Sequence, residues 1–140
     1  MLDRLAVLAK WVCFTRARAR QVVTDSGGLG WFGRCEHCRL ERFLQWSHIE
    51  PQGRCPHLRY DPDNYRALCW HCHFHWWHKG GAETEAWIRG LIGDARRDRL
   101  GLMARTRGHR MDPEAVRLML LDELHRMGVV PLFDTEGRPL

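Results

Sequence analysis

The stretch that decides the fold opens with Cys35-Glu-His-Cys38 and, thirty residues on, closes with Cys69-Trp-His-Cys72-His73. Two residues between cysteines let both thiolates reach one ion from a tight turn, and a second such turn completes a tetrahedral site with Zn–S distances of about 2.3 Å. Two matched units predict a structural zinc held by Cys35, Cys38, Cys69 and Cys72 rather than accidental or merely buried cysteines. Cys13 and Cys55 have no such partners. Packing is expected for Cys13, and an exposed thiol for Cys55 in its polar loop.

Outward from the cysteines, the runs 31–35 and 43–49 flank the first pair and predict a β-hairpin whose turn carries metal ligands. Residues 50–63 hold Pro51, Gly53, Pro56 and Pro62 and read as a loop. Asp63 or Asn64 then caps a predicted helix through Ala67, Leu68 and Cys72, ended by Lys79-Gly80-Gly81. Upstream, four glycines between Asp25 and Gly33 mark a turn-rich lead into the hairpin. Residues 2–23 lack Gly and Pro and predict an amphipathic helix, broken near Cys13. Downstream, 82–103 predicts a helix around Trp87, Ile88, Leu91 and Ile92, weakened by Gly90 and Gly93, and 104–111 is basic and loop-like. Asp112-Pro113-Glu114 starts a last helix that Gly128 stops. Its stripe of Val116, Met119, Leu120 and Leu124 suits packing on the module or on a second copy, a homodimer through this helix. The organisation expected is one domain with an N-terminal helical segment over 1–24, a zinc-bound core over 25–81 and a C-terminal helical extension over 82–140.

Composition narrows the classes. With 140 residues, 44% hydrophobic and seven tryptophans, the chain has the material for one core, and no apolar run approaches the ~20 residues of a membrane span. Residues 1–14 carry an acid at Asp3, a short apolar stretch and no small-residue cleavage site, which predicts no signal peptide and a cytoplasmic location. That context favours metal binding over disulfides for six cysteines. The formal charge of +5, nearly all of the basic residues being arginine, suits phosphate contact but does not by itself identify a partner.

Three further features follow in order: Ser47-His48-Ile49 at a strand end, Asp63-Asn64, and His73 nine residues beyond Asn64. With them, Cys35 to His78 resembles a zinc-containing HNH (ββα-metal) nuclease, an α+β module in which a hairpin and a helix grip a divalent ion and the scissile phosphate. Within that class, Trp46-Ser-His-Ile-Glu-Pro-Gln-Gly53, Leu58-Arg-Tyr-Asp-Pro-Asp-Asn64 and Leu68-Cys-Trp-His-Cys-His73 resemble the NinG/Rap group of phage recombination nucleases. The likeness extends over residues 5 to about 100, because that group has helices where the N-terminal and Trp87 helices fall here.

The resemblance implies a metal-dependent DNA endonuclease or nickase that leaves 3′-hydroxyl and 5′-phosphate ends, with branched recombination intermediates as a candidate substrate and a bacterial host as its setting. By resemblance, His48 is the general base, Asn64 orients the imidazole or the hairpin, and His73 ligates Mg²⁺, Mn²⁺ or another divalent ion. The residue types suit this chemistry. A neutral imidazole of pKa near ~6.5 accepts a proton from water at working pH, and a phosphodiester requires hydroxide and charge neutralisation together. Ser47 departs from the pattern, in which an Asp or His ligand often precedes the base. Further ligands are therefore expected among Ser47, Glu50, Asp61, Asp63 and His75, with His78 also near. Arg54, Arg59 and Arg66 flank the proposed site as phosphate clamps. His57 is a further phosphate contact, His37 and His71 are expected to face solvent, His109 and His125 to lie on the surface, and Trp70, Trp76 and Trp77 to fill the core beside zinc. Two other classes fit the same residues: a non-catalytic zinc-stabilised DNA-binding module, and a scaffold in a phage packaging or replication complex.

Overall fold

Asp3 starts the first helix by accepting a hydrogen bond from the Ala6 N–H at 3.0 Å, and α1 runs Arg4–Arg16. The computed structural model describes residues 3–106 and 110–131; the expected surface site His109 and the tail beyond 131 lie outside the described residues. The helix expected over 2–23 is shorter, and it is not amphipathic. Ala6, Val7, Leu8, Ala9, Val12, Cys13 and Phe14 are all buried, because α1 lies between a sheet, through Trp11 and Phe14 against Trp31, and the last helix. It ends where the Arg16 guanidinium donates to the carbonyls of Pro62 and Tyr65. Arg18 then takes a left-handed φ of 55°, which turns the chain back into a strand.

Four antiparallel strands follow in sheet order: β1 Arg20–Val23, β2 Leu29–Arg34, β3 Glu41–His48 and β4 Tyr65–Cys69. The β2–β3 hairpin carries Cys35 and Cys38 in its turn, as its turn chemistry predicts. The helix predicted from Asn64 is corrected. Tyr65–Cys69 is a strand paired with β3, with His48 opposite Tyr65 and Leu44 opposite Cys69. Tyr65, Ala67, Leu68 and Cys69 are all buried, and five residues with Arg66 as the one charged position are too short to show a period that separates strand from buried helix.

Helix begins only at α2, Trp70–Cys72, and continues as a π-helical turn over His73–Trp77, in which the His78 N–H reaches the His73 carbonyl at 3.1 Å. Gly80 and Gly81, at φ 63° and 96°, end it. The single helix expected over 82–103 is two, α3 Ala82–Ile92 and α4 Asp94–Arg105, broken where Gly93 adopts φ 89°. The final helix, α5 Pro113–Arg126, starts on the Asp112 side chain, which accepts from Glu114 N–H at 3.0 Å. Its Leu120 and Leu124 are fully buried, and α5 packs on α1. Among the described residues no helix is long and apolar enough to cross a membrane.

Candidate active site

The two C-x-x-C turns meet. The Cys35, Cys38, Cys69 and Cys72 sulfurs all lie within 4.8 Å of one another, and Cys38 and Cys69 stand 3.8 Å apart. Thiolates at ~2.3 Å from one tetrahedral ion are separated by about 3.8 Å, so the donor set fits zinc. The Cys69 N–H donates to Cys35 Sγ at 3.3 Å. His37, expected to face solvent, instead places Nδ1 3.4 Å from Cys72 Sγ, where it would donate to a metal-bound thiolate, while its ring stacks on Trp76 at 3.4 Å and meets Trp87 edge-on. Donors around a thiolate are the usual support of such ligands. Trp76 and Trp77 thus pack beside the knuckle as expected, whereas Trp70 is 55% exposed. Cys55 is also corrected: it is buried, and burial raises its thiol above the ordinary value.

Next to the knuckle, β3, its following loop and the π-turn enclose a cleft of about 440 Å³ lined by His48, Ile49, Pro51, His73, Trp77 and His78. His48 ends β3, and its carbonyl accepts from Trp77 Nε1 at 2.8 Å. Its ring lies against Trp46, centroids 4.3 Å apart. A carbonyl only accepts, so the 2.9 Å contact between His48 Nε2 and the Arg59 carbonyl is an Nε2–H donation. That bond fixes the tautomer and leaves the lone pair on Nδ1. Burial pulls the imidazole below its ordinary value of 6.5, against the raising effect of the Arg59 carbonyl.

His73 is fixed in the complementary sense. Its Nδ1 donates to the Gln45 amide oxygen at 2.6 Å, which leaves the lone pair on Nε2 to accept from the His78 ring. The two Nε2 atoms lie 3.0 Å apart. Residues five apart on a regular helix diverge by about 140° at 3.6 residues per turn; the wider π-turn brings these two rings side by side, a use to which such turns are often put. Two nitrogens bound at ~2.1 Å to one ion at a right angle stand about 3.0 Å apart, so the pair fits a divalent cation. Burial, with the neighbouring His78 and His48 adding to it, holds His73 at about 4.

Several expected ligands lie elsewhere. Ser47 is fully buried and its hydroxyl donates to the Gln45 carbonyl. Asp61 and Asp63 are both paired with Arg99, and Glu50 with Arg97. His75 turns to Trp70 and His71, and His57 donates to the Met103 carbonyl. Asn64 does not touch His48: its Oδ1 accepts from Glu50 N–H at 2.7 Å, and its Nδ2 donates to the carbonyls of Glu50 and Leu58 at 3.1 and 3.0 Å. It ties both ends of the 50–64 loop to the end of β3. Of the three arginine clamps, Arg59 is paired with Asp3 and Arg66 with Glu36, while Arg54 is exposed on the loop beside the cleft. Gln45 carried no signal of its own in the sequence, and strand alternation placing it opposite the His73 helix is what would have found it; His78, expected near the site beside His75, is the one the structure brings to His73.

No family model matches this chain, and neither a curated protein nor a solved structure does.

Proposed function

We propose that the chain is a metal-dependent HNH-type DNA endonuclease or nickase whose ββα unit is β3, β4 and the α2/π segment. The observation that carries this reading is the pairing, in one cleft, of a histidine held as the Nε2–H tautomer by a backbone carbonyl with a second histidine held as the Nδ1–H tautomer by Gln45. One ring is prepared to accept a proton and the other to ligate an ion.

In this reading His48 Nδ1 takes a proton from the attacking water. The Arg59 carbonyl, already accepting from Nε2–H, steadies the imidazolium that results. His73 and His78 would hold Mg²⁺ or Mn²⁺, which supplies charge neutralisation at the scissile phosphate and the leaving oxygen. Gln45 keeps the His73 ring oriented, Asn64 fixes the loop whose Arg59 carbonyl meets His48, and Arg54 is placed to clamp an adjacent phosphate. The four-cysteine site fastens the β2–β3 turn to the start of α2.

Burial of Ser47 favours one second reading, a DNA-binding module of a phage assembly that holds no catalytic ion, since the strand position before His48 offers no ligand. Supercoiled plasmid incubated with Mg²⁺ or Mn²⁺ separates the two. Wild type is expected to relax it, and His48→Ala and His73→Ala to lose that activity by 10²-fold or more, the usual range for general base removal being roughly 10²–10⁴. Cutting that persists in His48→Ala removes it as the base. Absence of cutting by wild type supports the binding module.

A further inference from the structure

Many of the arginines around the cleft and on the helices are neutralised, Arg59 by Asp3, Arg66 by Glu36, Arg97 by Glu50 and Glu85, and Arg99 by Asp61 and Asp63, whereas Arg54 stands exposed beside the cleft. A second cavity of about 710 Å³ is lined by Arg18, Arg20, Arg34 and Arg39, all exposed. Among the described residues none of these four has a carboxylate partner. Glu41 also borders the cavity, and Glu36 does so while bound to Arg66, so an excess of positive charge stands there uncompensated.

Aromatic rings adjoin this charge. Arg20, Phe32 and Phe43 occupy one cross-strand row of β1, β2 and β3. The Arg20 guanidinium lies over the Phe32 ring at 5.4 Å, and Phe32 meets Phe43 edge-to-face at 5.4 Å and 81°. Phe43 is 50% exposed. Gly30 leaves room for its ring, which a Cβ there would meet at 3.1 Å. Strand alternation sets this row on the opposite face from Trp31, which packs on α1. The same alternation places Phe43 and Gln45 on one side of β3, one repeat apart, and Gln45 holds His73.

We propose that this outer sheet face is a platform for single-stranded nucleic acid, with phosphates bound by Arg18, Arg34 and Arg39 and a base stacked on Phe43. A duplex hides its base faces, and a half-exposed ring on a flat sheet reaches only an unpaired base; arginines tracking the backbone beside such a ring are the general form of a single-strand site. The proposal rests on the nuclease reading only for its consequence, that the preferred DNA substrate contains an unpaired segment leading into the cleft. Binding itself does not require cutting.

The test uses the zinc-loaded full chain without Mg²⁺ or Mn²⁺, with fluorescence anisotropy of labelled oligothymidine and of a duplex of equal length. Single strand is expected to bind about tenfold or more tighter than duplex. Phe43→Ala should weaken single-strand binding by about five- to hundredfold, the range for losing one stacked base, and Phe43→Trp should keep it. Removing Arg34 and Arg39 together should lower the slope of log affinity against log salt by about 1.4, at roughly 0.7 per phosphate contact on single strands. Preference for duplex, or unchanged binding by Phe43→Ala, overturns the platform, as does binding of polyglutamate in place of oligothymidine. A chain that binds oligothymidine this way yet never nicks plasmid loses the nuclease reading and keeps the platform; one that nicks but ignores single strands does the reverse.

Discussion

His48 owes its proposed role to a bond on the far side of its ring. Because the Arg59 carbonyl holds the proton at Nε2, the basic lone pair does not alternate between nitrogens. Burial favours the neutral form and sets the pKa below 6.5, so the base stays competent as the pH falls past that value and is lost only below it. The acid limb of kcat/KM at saturating Mn²⁺ is therefore expected below pH 6.5, and a limb at or above 6.5 contradicts this environment for His48. Asn64 was singled out by resemblance and by its spacing from His73, and the structure gives it three backbone partners, the Glu50 N–H and the carbonyls of Glu50 and Leu58. Asn64→Ala strands the Glu50 N–H and the carbonyls of Glu50 and Leu58, and should cost about 2–4 kcal/mol of stability in urea unfolding. Stability unchanged beside lost activity would instead indicate direct action on His48.

At the scale of elements, what was legible followed from local chemistry. The C-x-x-C turn between two strands, the Asp112 cap and the Gly80-Gly81 and Gly128 stops all act within a few residues. What was not legible depends on remote partners. The helix ends at Arg16 because that guanidinium finds the Pro62 and Tyr65 carbonyls, and β4 is a strand because β3 lies beside it, although Ala67 and Leu68 favour helix. Of the two histidines expected near His73, the π-turn brings His78 beside it and turns His75 to Trp70 and His71, a choice no regular periodicity makes. Where the α1–β1 link crosses β2, Gly33 admits the backbone of Ala19: a Cβ at Gly33 would stand 2.7 Å from the Ala19 Cα. Gly33→Ala is expected to destabilise by about 1–3 kcal/mol, read as a lowered Tm with zinc bound; an unchanged Tm would mean that the link relaxes freely.

Over the whole molecule, the four-cysteine cluster connects the sheet to the segment that bears His73 and His78, while α1 and α5 supply the core behind it. Stripping zinc with a strong chelator should abolish the cooperative thermal transition and the near-ultraviolet signal of Trp76 and Trp87, which pack on His37 at the knuckle; retention of both would show the fold to be independent of the metal. The α5 stripe, suited by sequence to either the module or a second copy, spends Leu120 and Leu124 within the chain. Charge is also unevenly used: Arg59, Arg97 and Arg99 are paired, while Arg18, Arg20, Arg34 and Arg39 on the outer sheet have no carboxylate partner among the described residues. The proposed function depends above all on His48 as the proton acceptor for DNA cleavage. Chemical rescue probes that role without intermediaries: single-turnover nicking of supercoiled DNA in Mn²⁺ by His48→Ala, with and without added imidazole. Cutting is expected to be lost in the variant and to return in part, in proportion to neutral imidazole; wild-type rates in the variant without imidazole would rule out His48 as the base.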